Sequence, residues 1–231
     1  MNSLNSPHLS QHLTRLHQEA EAADAPFVRQ IMARIEAAGG AIETLAAQLV
    51  ADERADYRAA YSGHASHFLS VSPRYGRFLY AVARASKATR IVEFGTSMGI
   101  STIYLAAALR DNGGGLLIGS EMEPTKVARA REHIEAAGLS DLVDIRQGNA
   151  LDTLRDVGGA IDLALIDGAW SLYLPVLKLI EPQLRPGAAI LAENAFAEDY
   201  LDYIRDPANG YLAMTLPIDE SRGNEFAVWT A

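Results

Sequence analysis

The sequence predicts an α/β protein with a doubly wound, mostly parallel, seven-stranded sheet, an N-terminal helical extension and a C-terminal antiparallel strand. Three observations predict it. From residue 90 onward, short apolar runs alternate with helix-like stretches. Those runs are apolar almost throughout, as strands covered on both faces are. The first 88 residues instead carry helical spacings and no strand-like run.

In the extension, Leu9, Leu13 and Leu16 follow a 4,3 spacing, and Phe27, Ile31 and Ile35 recur every four residues. Gly39-Gly40 reads as the stop of that second run. Residues 42–61 are alanine-rich and helix-prone. Ser72-Pro73 reads as a helix start, with Phe78, Leu79, Val82 and Ala83 as its apolar face. Strands follow at 90–94, 116–120, 143–146, 161–166 and 188–192, the last entered through a Pro186-Gly187 turn. Helices fall at 101–109, 125–137, 172–184 and 198–204. Two terminal runs, 211–216 and 225–230, are close enough in sequence to pair antiparallel. Right-handed crossovers wind such a sheet on both faces. The organisation predicted is an extension over residues 1–71, capping the site or making a dimer contact, and one domain over 72–231.

Composition excludes several function classes. A net charge of −9 disfavours broad nucleic-acid binding, because phosphate backbones are repelled. The absence of cysteine excludes disulfides, thiolate metal sites and cysteine nucleophiles. No apolar run is long enough for a membrane span, and residues 1–18 show no apolar segment of signal-peptide type. The expected location is the cytoplasm.

Doubly wound sheets bind ligands beyond the carboxyl ends of their strands, near the switch point. After the first strand comes Glu93-Phe94-Gly95-Thr96-Ser97-Met98-Gly99, a glycine turn of neither the dinucleotide nor the P-loop spacing. Alone it is as consistent with a structural turn as with a ligand site. The second strand ends at Glu121, an acid placed to accept hydrogen bonds from both hydroxyls of a ribose. The third ends at Gly148-Asn149-Ala150, where an amide can meet an adenine edge. Three ligand-like features at successive strand ends point to a nucleoside.

These residues resemble the catechol O-methyltransferase-like family of class I methyltransferases, which have a Rossmann-like fold. The resemblance runs from about residue 72 to the C-terminus. It rests on Ser72-Pro73-x-x-Gly76, Val92-Glu93-x-Gly95-x-x-x-Gly99-x-Ser101, Glu121-Met122-x-Pro124, Ala137-Gly138-Leu139, Asp167, Tyr173-Leu174-Pro175, Arg185-x-Gly187 and Glu193-Asn194. It implies S-adenosylmethionine (SAM) as methyl donor, with Glu93, Gly95, Thr96, Ser97, Gly99 and Asp167 around it. It further implies that Glu121 binds the ribose, that Met122 flanks the adenine with Asn149 and Ala150 nearby, and that Ser101 reaches the donor's carboxylate from a helix N-terminus. A homodimer acting on a small molecule is the expectation that comes with the family.

Asp167, Glu193 and Asn194 stand at the ends of the next two strands. They form a hard-oxygen set suited to Mg²⁺ or another divalent cation. In the resembling family such a metal binds both oxygens of a vicinal diol and acidifies the one to be methylated. The other reading of these residues is a helix cap and a loop. Two departures stand out. Glu193 is one methylene longer than the usual Asp. Trp170 occupies the position, three after Asp167, where the family carries its general-base lysine, and tryptophan accepts no proton. His67, with His64, is a candidate replacement base. Helical i,i+3 spacing would put the two on one face, while His8, His12, His17 and His133 are expected to face solvent. Trp170 is either a stacking wall for a flat acceptor or a core aromatic. The function expected is metal-assisted O-methyl transfer to an aromatic hydroxyl, with Asp167, His67 and Trp170 at the chemistry. The alternatives are a metal-independent methyltransferase with a rebuilt pocket and an inactive SAM-binding module.

Overall fold

The computed structural model describes residues 2–37, 42–219 and 223–231. The predicted stop at Gly39-Gly40 lies outside them. The seven strands are β1 (Arg90–Phe94), β2 (Leu116–Glu121), β3 (Val143–Gln147), β4 (Ile161–Ile166), β5 (Leu184–Ala192), β6 (Tyr211–Thr215) and β7 (Glu225–Trp229). They form one sheet in the order β3-β2-β1-β4-β5-β7-β6. β1 to β5 run parallel, and β7 is antiparallel to both neighbours. This is the doubly wound sheet the sequence predicts. Its switch point falls between β1 and β4, where the chain returns from the β3 edge.

The helices are α1 (Pro7–Ala37), α2 (Ile42–Ser62), α3 (Pro73–Ala85), α4 (Ile100–Asn112), α5 (Pro124–Ala136), α6 (Ala150–Thr153), α7 (Tyr173–Ile180) and α8 (Glu198–Arg205). One face of the sheet is covered by α1, α3, α4 and α5, the other by α6, α7 and α8. α4 is buried on every side from Ile100 to Leu109, as an apolar helix held between sheet and neighbouring helices must be. α3 starts as predicted: Ser72 caps it by accepting from the Tyr75 N–H, with Pro73 at its first position.

The structure corrects several expectations. Leu9–Leu16 and Phe27–Ile35 lie on one continuous helix that carries Pro26 inside it. The leucines are buried in the core, and that packing outweighs the hydrogen bond proline removes. The helix predicted over 172–184 ends at Ile180, because Pro182 tightens the chain into a 3₁₀ turn over Glu181–Gln183. Leu184 already pairs with Ile161, so Pro186-Gly187 forms a bulge inside β5 rather than a turn before it. α6 was not anticipated.

His12 and His133 do not face solvent. His12 Nε2 lies 2.9 Å from the His133 carbonyl, and His133 Nδ1 lies 2.8 Å from that of Met98. These bonds fasten α1 to α5 and to the turn after β1. Burial lowers the pKa of His12. The unfolded chain therefore takes up a proton that the folded chain resists, and stability falls as pH drops below the ordinary histidine value of about 6.5. A His12→Gln variant, which keeps a donor for the His133 carbonyl, is expected to lose less of its thermal midpoint than the wild type between about pH 7.5 and 5.5. Equal losses in scanning calorimetry would contradict this.

Candidate active site

The site is built at the switch point. The Asp167 N–H donates to the Phe94 carbonyl at 2.9 Å, so the chain leaving β4 lies directly on the turn leaving β1. Gly95 takes a φ of 94° there, and a Cβ at this position would overlap the Asp167 carbonyl. Beneath the turn, Glu93 is fully buried and accepts from Thr96 Oγ1 (3.1 Å), Ser101 Oγ (2.7 Å) and Thr102 Oγ1 (2.6 Å). Burial pushes its carboxyl up, against those three donors. Glu93 thus pins the turn to the first residues of α4. Ser101 spends its hydroxyl proton on Glu93 rather than on an open ligand.

Glu121, at the end of β2, faces the same turn. Its Oε2 accepts the Ser97 N–H at 2.8 Å and its Oε1 the Glu123 N–H at 2.8 Å. Each oxygen keeps a lone pair, so the carboxylate is aimed and can still take a ribose hydroxyl. Met122 follows it directly. At the end of β3, Asn149 Oδ1 caps α6 through the Leu151 N–H, and Ala150 is buried in that helix's first turn.

A strap outside the region of resemblance completes the cleft. Residues 68–71 lie across the turn and, with Gly95, Ser97, Ser101 and Asp167, line a small cleft. The strap is tied by Asp24 of α1, whose carboxylate accepts the Phe68 and Leu69 N–H groups at 2.8 Å each. Ser97 Oγ donates to the Phe68 carbonyl at 2.6 Å, and Lys126 Nζ donates to Ser97 Oγ at 3.2 Å. Lys126 is buried, which pushes its ammonium down, while Glu121 and Asp24 pull it back up. Neither Asp24 nor Lys126 was singled out by sequence. An acid inside a helix and a lysine in another carry no local signal of what they meet 44 or 29 residues away.

The adjacent strand ends bring together Asp167, Glu193 and Asn194. The Glu193 N–H donates to the Ile166 carbonyl at 3.2 Å. Two buried tyrosines clamp this end of β5 from opposite faces: Tyr75 OH donates to the Ala192 carbonyl (3.2 Å) and Tyr173 OH to that of Glu193 (2.6 Å). Asn194 sits at a left-handed φ of 53°, and its amide donates to the Glu193 carboxylate. Among the described residues no three His, Cys, Asp or Glu are grouped to hold a metal. A cation here needs the Asn194 carbonyl oxygen as its third protein ligand. Two carboxylates and an amide oxygen on adjacent strand ends fit a hard cation by donor type.

Trp170 opens a 3₁₀ turn (Trp170–Leu172) and packs edge-on against Phe196 at 5.6 Å, half-buried beside the second core. His64 and His67 are not on a helix, because α2 ends at Ser62 and a turn follows. They still meet, Nδ1 to Nδ1 at 3.0 Å, and both pack on Phe27. His67 thus lies one residue outside the strap that lines the cleft, against α1. Two residues of α2 reach the Asp167 loop: Tyr61, which opens the stretch that carries the two histidines, and Glu53, which sequence reasoning passed over. Glu53 Oε2 accepts the Ser171 N–H at 2.9 Å, and Tyr61 OH lies 3.4 Å from the Gly168 carbonyl.

Comparison with known proteins agrees with the fold. Residues 92–195 match a family described as a methyltransferase domain. A catechol O-methyltransferase of Niastella koreensis is 37% identical over 134 residues, 56% of this chain and 60% of that protein. One from Mycobacterium tuberculosis is 35% identical over 127 residues, 54% and 57%. The chain thus spans less than two thirds of the length of these relatives. Among solved structures, cofactor-bound Rv0187 from MTB is 28% identical, with a TM-score of 0.65 over 74% of this chain and 87% of that one. An O-methyltransferase from Bacillus cereus in complex with SAH shares the fold at a TM-score of 0.63 and 24% identity, over 70% and 83%. The match spans β1 through β5, the strands whose ends build the cleft, and over that stretch this chain is similar to methyltransferase domains, those of catechol O-methyltransferases among them.

Proposed function

We propose that the protein transfers the methyl group of SAM to a hydroxyl of a small aromatic molecule, assisted by a divalent cation. The observation that carries this reading is the convergence, at the β1/β4 switch point, of the aimed carboxylate of Glu121, the turn at Gly95 and the oxygen set Asp167, Glu193 and Asn194. SAM supplies an electrophilic methyl on a sulfonium, so the protein's part is binding, orientation and electrostatics. In this reading Glu121 holds the ribose, Met122 and Asn149 bound the adenine, and the turn over Gly95–Ser97 with the strap at 68–71 encloses the methionine end. Asp167, Glu193 and Asn194 would hold a cation such as Mg²⁺, which supplies Lewis-acid stabilisation of the acceptor oxygen. Trp170 and Phe196 form an apolar wall suited to a flat ring. Residues 1–71 act as a cap, since both strap and wall depend on α1 and α2. A homodimer is part of the proposal and is read by sedimentation.

One observation favours a second reading. Trp170 stands where the resembling family carries its lysine, as it would in a metal-independent enzyme with a rebuilt pocket. Two measurements decide. Calorimetry is expected to show SAM binding in the micromolar range or tighter, about −8 kcal/mol. Millimolar Mg²⁺ is expected to raise the thermal midpoint, because a ligand of the folded state alone stabilises it. Absence of SAM binding would overturn the proposal. SAM binding without any Mg²⁺ shift would select the metal-independent reading.

A further inference from the structure

The tryptophan at position 170 leaves the methyl transfer without the family's lysine base, and the structure sets a buried acid against that same loop. Glu53 is 6% exposed in an otherwise alanine-rich helix. Its two oxygens do different things. Oε2 accepts the Ser171 N–H at 2.9 Å and so caps the turn at Trp170–Leu172. Oε1 accepts the Tyr61 hydroxyl at 3.1 Å. A turn cap needs only the first. The second holds the proton of a phenol whose oxygen lies 3.4 Å from the Gly168 carbonyl, one residue beyond Asp167.

We propose that Tyr61 and Glu53 form a proton relay for the acceptor hydroxyl, Tyr61 touching the acceptor oxygen and Glu53 receiving the proton. The inference rests on the acceptor being a hydroxyl, as proposed above. The balance is as follows. The acceptor O–H breaks and its proton passes to the Tyr61 oxygen, while the proton of Tyr61 passes to Glu53 Oε1. The freed electron pair forms the O–CH₃ bond, and the S–CH₃ electrons stay on sulfur. The sulfonium charge and the Glu53 charge disappear together, so the net charge of the pocket is unchanged by the transfer.

The environment suits these roles. Burial pushes the Glu53 carboxyl up, making it a better proton acceptor than an exposed acid. Burial and Glu53 push Tyr61 well above the ordinary phenol value, so it conducts a proton rather than storing charge. The groups facing the pair are Asp167 and Glu121 from the strand ends, Tyr173 of α7 and His64 of the following turn. Arg54 pairs with Asp199 instead.

The test uses the full chain, the variants Tyr61→Phe and Glu53→Gln, and two acceptors: catechol, protonated at neutral pH, and 4-nitrocatechol, already ionised. Both variants are expected to lose about a hundredfold or more in kcat on catechol. On 4-nitrocatechol they should stay within about threefold of wild type, since no proton needs to leave. SAM affinity by calorimetry should be unchanged. In the absence of SAM, bound 4-nitrocatechol should ionise at higher pH in the variants, read from its visible absorbance. Equal losses on both acceptors would show a packing role and overturn the relay, as would no loss on either. Wild-type protein that methylates neither acceptor would overturn the hydroxyl reading itself, a different outcome from variants that match an active wild type. Tyr61→Phe keeps the ring and the Glu53 cap, so it decides alone if Glu53→Gln fails to fold.

Discussion

Replacing Glu121 with alanine is expected to weaken SAM binding by roughly a hundredfold. A hydrogen bond to a charged group contributes about 1.5–3 kcal/mol, and two ribose hydroxyls on one carboxylate lose about 3 kcal/mol together. Every 1.4 kcal/mol is about tenfold in Kd. The carboxylate also accepts the Ser97 and Glu123 N–H groups, so its removal frees the turn as well as the ribose it is proposed to hold. Glu121→Gln keeps one acceptor oxygen and should fall between the two. Titration calorimetry checks the series. An alanine variant within about threefold of wild type, a difference under about 0.7 kcal/mol, would mean that the nucleoside does not lie on Glu121.

The second large effect is expected at Asp167. Its backbone position is fixed by the bond to Phe94, so Asp167→Asn should leave the fold and the Gly95 turn intact. On the proposed reading it removes one of the two carboxylates that would hold a cation beside the acceptor. We expect kcat and kcat/KM to fall together by about two to three orders of magnitude, the pattern of an interaction made in the transition state. SAM affinity should change little, and the Mg²⁺-induced rise in thermal midpoint should disappear. A variant that keeps its Mg²⁺ response would place the cation elsewhere. One that keeps its turnover would remove Asp167 from the chemistry.

These two expectations became visible in the same way. Glu121 and Asp167 could be found from the sequence because each follows directly on an apolar strand, and a parallel sheet puts every such position on one edge. Strand ends are therefore legible one at a time. The strap at 68–71 was not, because its place depends on Asp24 reaching across 44 residues, a contact that no periodicity encodes. His12 and His133 were misplaced for the same reason: a polar stretch looks solvated until another helix covers it. The early end of the helix predicted over 172–184 was missed although Pro182 stood in the sequence. Its apolar positions continue into the strand, and an apolar run does not say where one period yields to the other.

The sequence by itself determined the doubly wound class of the sheet, its strands along the chain and the residues that follow them, since those come from local apolar pattern, turn chemistry and handedness. It also marked the missing lysine by placing Trp170 there. Only the tertiary structure decided what stands around that gap. Glu53 and Tyr61 come from a helix more than a hundred residues away, and they meet the Asp167 loop because α2 packs over it. Which buried acid meets which loop is fixed by the packing of helix on sheet, and that packing is a property of the whole chain.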